Sequence, residues 1–163
     1  MKELIVVVGL PWSEKLKYTN MNYSNHQIVS PFYIKKSMEF TRVNKSDQSL
    51  YLILEVMVRS LMILQRPIVV IENSLELETI FIWKKMAVEH DYPIKVIIFD
   101  QPLEDCFSKA DTRNKDTLKF VSMKSKKLEQ LKHILSMEHQ KIVDGLTVVK
   151  TSMEEKQDEI LQS

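Results

Sequence analysis

The sequence predicts an α/β fold, with a parallel sheet of five short strands covered by helices on both faces. Three observations predict it. Five short aliphatic and β-branched runs recur along 163 residues, and such runs mark strands buried on both sides. Segments with a helical repeat of apolar residues separate most of them. Strand and helix therefore alternate, the pattern that gives a parallel sheet.

Leu4 to Val8 is a continuous apolar run bounded by Gly9 and Pro11, a central strand. Residues 26–29 (HQIV) form a weaker strand stopped by Ser30 and Pro31. Residues 47–65 place Leu50, Ile53, Leu54, Met57, Leu61 and Leu64 near a helical period. Residues 67–71 (PIVVI) are a strand, 75–90 a helix with Leu77, Ile80, Trp83 and Ala87 on one stripe, and 95–99 (KVIIF) a strand. Pro102 opens a short helix whose Leu103, Cys106, Phe107 and Ala110 share a face. A long helix covers 116–142 and ends at Asp144-Gly145, with Gly145 as a left-handed cap. Residues 146–149 are the last strand, and Ser152 to Glu155 is a capping box that opens a short helical tail. The predicted organisation is one domain over 1–150 and an acidic tail over 151–163, without repeats, low-complexity segments or linkers.

Composition narrows the function classes. Lys and Arg number 23 against 22 Asp and Glu, so net charge selects no polyanion partner. The single cysteine, Cys106, excludes an internal disulfide and fits a cytoplasmic location. The opening MKELIVVVGLP is too short and too acidic for a signal peptide. The longest apolar stretch, 50–64, is broken by Glu55 and Arg59, so no membrane span is expected. His26, His90, His133 and His139 have no ligand spacing with one another or with Cys106, so no metal site is expected. Cys106 lies on an apolar face and reads as a core residue. The Lys- and Ile-rich, glycine-poor composition hints at an AT-rich genome of viral or phage type.

The stretch VVVGLPWSEKL, residues 6–16, resembles a phosphate-binding loop at the end of a strand. Such a loop works through backbone amides that converge on phosphate oxygens, aided by a helix N-terminus. A lysine reaches the outer phosphates and a hydroxyl holds magnesium. Gly9, Pro11, Ser13 and Lys15 are the candidate nucleotide-binding residues. Trp12 and Glu14 stand where the loop wants glycine, and Leu16 stands where it wants a hydroxyl. A Glu14 carboxylate about 4 Å from a phosphate charge would repel it by about 4 kcal/mol at an effective dielectric of 20, unless it turned outward or paired with Lys17. Trp12 has three readings: a plug in the phosphate pocket, a stacking platform, or an anchor for a protein partner. The plug is the simplest. The plain alternative for the whole stretch is a strand-to-helix turn.

Residues 68–113 carry a wider resemblance. Glu72-Asn73-Ser74 follows a strand, Trp83 falls in the next helix, then come Phe99, Asp100, Pro102, Leu103 and Cys106, with Lys109, Ala110 and Arg113 after them. Together with GLPWSEK, this order resembles the P-loop kinases of the polynucleotide-kinase type over roughly residues 1–150. The resemblance implies a P-loop kinase-like three-layer fold with sheet order 2-3-1-4-5, and an Arg-bearing lid at 109–113. The departures fall on chemistry. The position of the family's acceptor-activating Asp reads HQIVSPFY, and no Asp or Glu occurs between Glu14 and Glu39. The lost positions are Trp12, Glu14, Leu16, Ser30 or Pro31, and Lys109. Lys15, Arg113 and Glu72 remain as catalytic remnants. His26 is a candidate substitute base by residue type.

Residues 109–132 add a possible anion surface. Eight cations there (Lys109, Arg113, Lys115, Lys119, Lys124, Lys126, Lys127 and Lys132) face three acids, a local +5. The plain reading is a solvated helix face; the functional one is a nucleic-acid or phosphate patch. The tail, net −3, could shield that patch in the same chain or in a neighbouring copy of an oligomer. The expectation is a catalytically degenerate P-loop kinase-like protein that binds a protein or nucleic-acid partner, holds nucleotide weakly if at all, and needs no cofactor. The alternative is an active nucleotide or polynucleotide 5′-kinase using ATP or GTP and magnesium, with Lys15 on the transferring phosphoryl group, Arg113 as lid and Glu72 on the metal through water. A third is sequence-tolerant nucleic-acid binding through 109–132.

Overall fold

The computed structural model describes residues 1–38, 47–107 and 114–151. The elements run β1 (Leu4–Gly9), α1 (Lys15–Asn22), β2 (Gln27–Val29), α2 (Pro31–Ser37), α3 (Asp47–Ile63), β3 (Ile68–Glu72), α4 (Leu77–Glu89), β4 (Ile94–Asp100), α5 (Leu103–Phe107), α6 (Lys115–Ile142) and β5 (Gly145–Lys150). The five strands form one sheet in the order β2-β3-β1-β4-β5, and every pair is parallel. Central β1 is buried throughout, because both its faces are covered and both its edges are paired.

Side chains alternate across the sheet. Leu4, Val6 and Val8 face a large core shared with Leu54 and Val58 of α3, Ile80 and Trp83 of α4, and Leu131 and Leu135 of α6. Ile5, Val7, Val69, Ile71, Ile97 and Phe99 face the other way, under Leu16 and Tyr18 of α1 and the adjoining Tyr23. Helices α3, α4 and α6, with Ile34 of α2 and Cys106 of α5, thus pack into the first core, and α1 supplies the described helical cover of the other. The register sets the functional end: Val8 lies beside Glu72 and Gly9 beside Phe99.

The structure corrects several sequence expectations. Ser30 and Pro31 do stop β2, but they also start α2. The Ser30 hydroxyl accepts from the Phe32 amide at 3.2 Å, and Pro31 occupies the first turn, where its missing N–H costs nothing. The buried stripe of α3 is Leu50, Leu54, Val58 and Met62, while Met57 and Leu64 are exposed. Gly145 is not a helix cap. No described glycine has positive φ, α6 ends at Ile142 with Val143 as its cap, and Gly145 opens β5. A Cβ at Gly145 would sit 3.2 Å from the Lys95 side chain on the neighbouring strand, so close packing explains that glycine. Asp144 closes the turn instead, accepting from the Ile94 amide at 2.8 Å. Ala110, the Ser152–Glu155 capping box and the acidic tail lie outside the described residues. Among the described residues, no helix is long and apolar enough to cross a membrane.

Candidate functional site

The loop between β1 and α1 is built tightly against β4. A Cβ on Gly9 would meet the Phe99 carbonyl oxygen at 3.0 Å and Ser13 Oγ at 3.3 Å, so only glycine lets the chain leave the strand there. Trp12 holds φ at 57°, the left-handed region that costs a side-chain-bearing residue about 1–2 kcal/mol. Leu16, at the position where a magnesium-binding hydroxyl is wanted, packs onto the sheet with Tyr18.

Three donors of this cradle already have acceptors within the protein, whereas the buried Ser13 hydroxyl has no hydrogen-bond partner among the described residues. The Ser13 amide donates to the Leu10 carbonyl at 3.2 Å. The Glu14 amide donates to Gln101 Oε1 at 2.8 Å. Lys15 Nζ donates to the carbonyl of Leu10 at 3.1 Å and that of Gly9 at 3.4 Å. Gln101 is only 3% exposed, placed by the end of β4, so it is a fixed acceptor. Burial pushes the Lys15 ammonium down to about 8, against weaker support from Cys106 and Glu72. Protein oxygens therefore engage three of the donors that a phosphate loop presents to an anion.

Glu72 is equally committed. It is 1% exposed. Its Oε1 accepts from the Tyr51 hydroxyl and from the Ser74 amide at 2.9 Å, and its Oε2 accepts from Trp83 Nε1 at 2.7 Å. One carboxylate thereby ties β3 to α3 and α4. Burial and the adjacent Glu72 carboxylate push the Tyr51 phenol far above its ordinary range, so Tyr51 remains a donor. Asp100 is paired with Lys132 at 2.9 Å. His26, the candidate substitute base, lies at the opposite end of the strands. It contacts Glu3 at 2.9 Å, just before β2 begins, and so does not serve the cradle.

Beside the cradle opens a cavity of about 630 Å³. Pro11, Trp12 and Lys15 form its near wall; Pro31, Phe32 and Lys35 of α2 and Leu50, Tyr51 and Leu54 of α3 face them. Glu72, Asn73 and Ser74 form the end of β3 there, and α6 adds Phe120 and Lys124. Trp12 is 41% exposed and lines this open space, so it is a wall residue and not the plug that the sequence suggested. Sequence reasoning also missed Phe32, Lys35, Tyr51 and Gln101. The Ser30-Pro31 pair, a helix-start signal, was the clue to the first two.

The cations of α6 do not form one continuous stripe. Lys124 turns to the cavity with its ammonium 5.5 Å from the Phe120 ring centre. Lys127 pairs with Glu76, and Lys132 with Asp100 and Glu129. Lys115, Lys119 and Lys126 are exposed, whereas Lys109 and Arg113 lie outside the described residues. Among the described residues, no group of three or more His, Cys, Asp or Glu is placed to hold a metal ion.

With sheet order and loop in view, comparison with solved structures decides the fold. A chain of the PezAT chromosomal toxin–antitoxin system of Streptococcus pneumoniae superposes with a TM-score of 0.66 at 11% identity, covering 92% of this chain and 68% of the other. A protein of Chloroflexus aurantiacus assigned as a kinase superposes with a TM-score of 0.64 at 13% identity, covering 99% of this chain and 95% of the other. The fold is P-loop kinase-like. No family model and no curated protein matches the sequence.

Proposed function

We propose that this chain is a catalytically degenerate member of the P-loop kinase-like fold that acts by binding, without turning over ATP. The observation that carries the reading is the self-satisfied cradle: Ser13 and Glu14 amides and the Lys15 ammonium all donate to protein oxygens. A triphosphate would have to displace Leu10, Gly9 and Gln101 as acceptors before gaining its own bonds, and each exchange returns little net free energy. Leu16 brings no metal ligand, and both Glu72 oxygens are in use.

A protein partner suits the surface better than a nucleic acid. Exposed apolar side chains stand on the outer sides of α3 (Leu52, Val56, Ile63) and α4 (Phe81, Ile82, Val88), and the Arg59–Glu89 pair at 3.0 Å joins the two helices. Exposed apolar side chains that gather on one side mark protein contacts, while the α6 lysines are divided among ion pairs (Lys127, Lys132), the cavity (Lys124) and separate exposed positions (Lys115, Lys119, Lys126). The remaining favourable sign for the alternative, an active 5′-kinase, is the open cavity that adjoins Lys15.

Calorimetric titration with ATP and with GTP, each with and without magnesium, tests the reading. No heat and no change in melting temperature are expected. Tight binding that disappears in Lys15→Ala would overturn it. Restoring glycine at 12 and 14 and serine at 16, with Gln101→Ala added, is expected to create measurable ATP affinity without phosphoryl transfer.

A further inference from the structure

We propose that the cavity beside the cradle binds a small planar aromatic anion, one ring system bearing one phosphate or carboxylate. The inference rests on the reading above, because it leaves the anion to the cavity and not to the loop. Its volume, about 630 Å³, falls within the range of small-molecule sites, roughly 300–1,000 Å³. Four aromatic rings reach its lining from four separate parts of the chain: Trp12, Phe32, Tyr51 and Phe120. Three cations share that lining, Lys15, Lys35 and Lys124, against a single acid, Glu72. Glu72 is shielded by Tyr51, Ser74 and Trp83, so it offers a ligand no free oxygen. Lys15 is engaged with the loop carbonyls. Lys35 and Lys124 make no ion pair among the described residues. A cavity of this kind attracts negative charge, and its partly apolar walls strengthen that attraction over its value in water. The rings supply flat apolar surface for an aromatic body.

The test uses the full chain and the fluorescent anion 8-anilinonaphthalene-1-sulfonate as reporter. One reporter per chain is expected to bind and to be displaced by phenyl phosphate, by benzoate, or by both; the stronger competitor identifies the anionic group. Benzyl alcohol, which has the ring alone, and inorganic phosphate, which has the charge alone, are expected to displace it at least about tenfold less well. Lys35→Ala and Lys124→Ala are each expected to weaken phenyl phosphate or benzoate about fivefold to tenfold with unchanged melting temperature, and Lys35→Glu to weaken it further. Equal displacement by benzyl alcohol, or full affinity in both alanine variants, overturns the inference. ATP with magnesium separates the two claims. Displacement by ATP that depends on Lys15 but not on Lys35 sinks the self-satisfied cradle. Absence of displacement by every competitor, with no ATP heat, sinks the cavity proposal alone.

Discussion

At the scale of single residues, the site is governed by buried charges that the protein itself neutralises. Lys15 is the clearest case. Its ammonium is lowered by burial from 10.5 to about 8. Between those two values the unfolded chain holds a proton at this position that the folded chain has lost, so the Lys15 contribution raises stability as pH rises through the window. Urea unfolding of the wild type and of Lys15→Met is expected to show this as a difference that changes by about 3 kcal/mol between pH 7.5 and pH 10.5. A constant difference across that range would mean that Lys15 keeps an ordinary affinity for its proton. Glu72 gives a second prediction. Glu72→Gln replaces one acceptor oxygen with a donor among three donors, and is expected to cost about 1–3 kcal/mol in urea unfolding. These roles were only partly legible in the sequence. Lys15 and Glu72 stood out by position, but not the partners that engage them: the Gly9 and Leu10 carbonyls for Lys15, and for Glu72 the Tyr51 hydroxyl, the Ser74 amide and the Trp83 indole, two of them far away along the chain. A motif records which residue types are present; it does not record which of their bonds are already made.

At the scale of elements, the apolar runs were legible to within a residue or two, most plainly in β1 and β3, which are buried throughout, because a strand buried on both faces leaves little room for polar residues. Of the two short helices α1 and α2, the first was implied only by the loop before it, and α2 was not legible. α1 has only eight residues and no strongly amphipathic repeat, since its role is to lay Leu16 and Tyr18 on the sheet. α2 has seven, too few for periodicity to register, and only its Ser-Pro start announces it. That start is testable. Ser30→Ala removes the cap on the Phe32 amide and is expected to cost about 1 kcal/mol, read by urea unfolding. It is also expected to weaken ligands of the cavity, because Phe32 and Lys35 are carried on this helix. Unchanged stability would show that Pro31 alone holds the start of α2.

At the scale of the whole molecule, the two ends of the sheet carry different burdens. The end bearing the cradle is rich in polar groups held in place by one another. The opposite end is clamped by Glu3, which contacts His26 ahead of β2 and Lys95 of β4, each at 2.9 Å. Burial opposes the Glu3 charge, but Lys95 and His26 together outweigh it and hold the carboxyl below its ordinary 4.5. The stability this gives is present above 4.5 and is lost as pH falls through the lowered folded value. Glu3→Gln is therefore expected to flatten the acid limb of a stability–pH curve; an unaltered limb would assign acid sensitivity elsewhere.

Among the described residues, the cover of the second sheet face is thin, and that has its own result. Leu16, Tyr18 and Tyr23 roof six buried apolar residues of the central strands, with a single eight-residue helix as the frame. Lifting that roof would wet the whole patch in one step, so the helix has no inexpensive way to fray. Amide hydrogens in its middle should exchange with solvent as slowly as those of β1, a durability unusual for so brief a segment, and whatever loosens the loop before it would be felt by the entire protein.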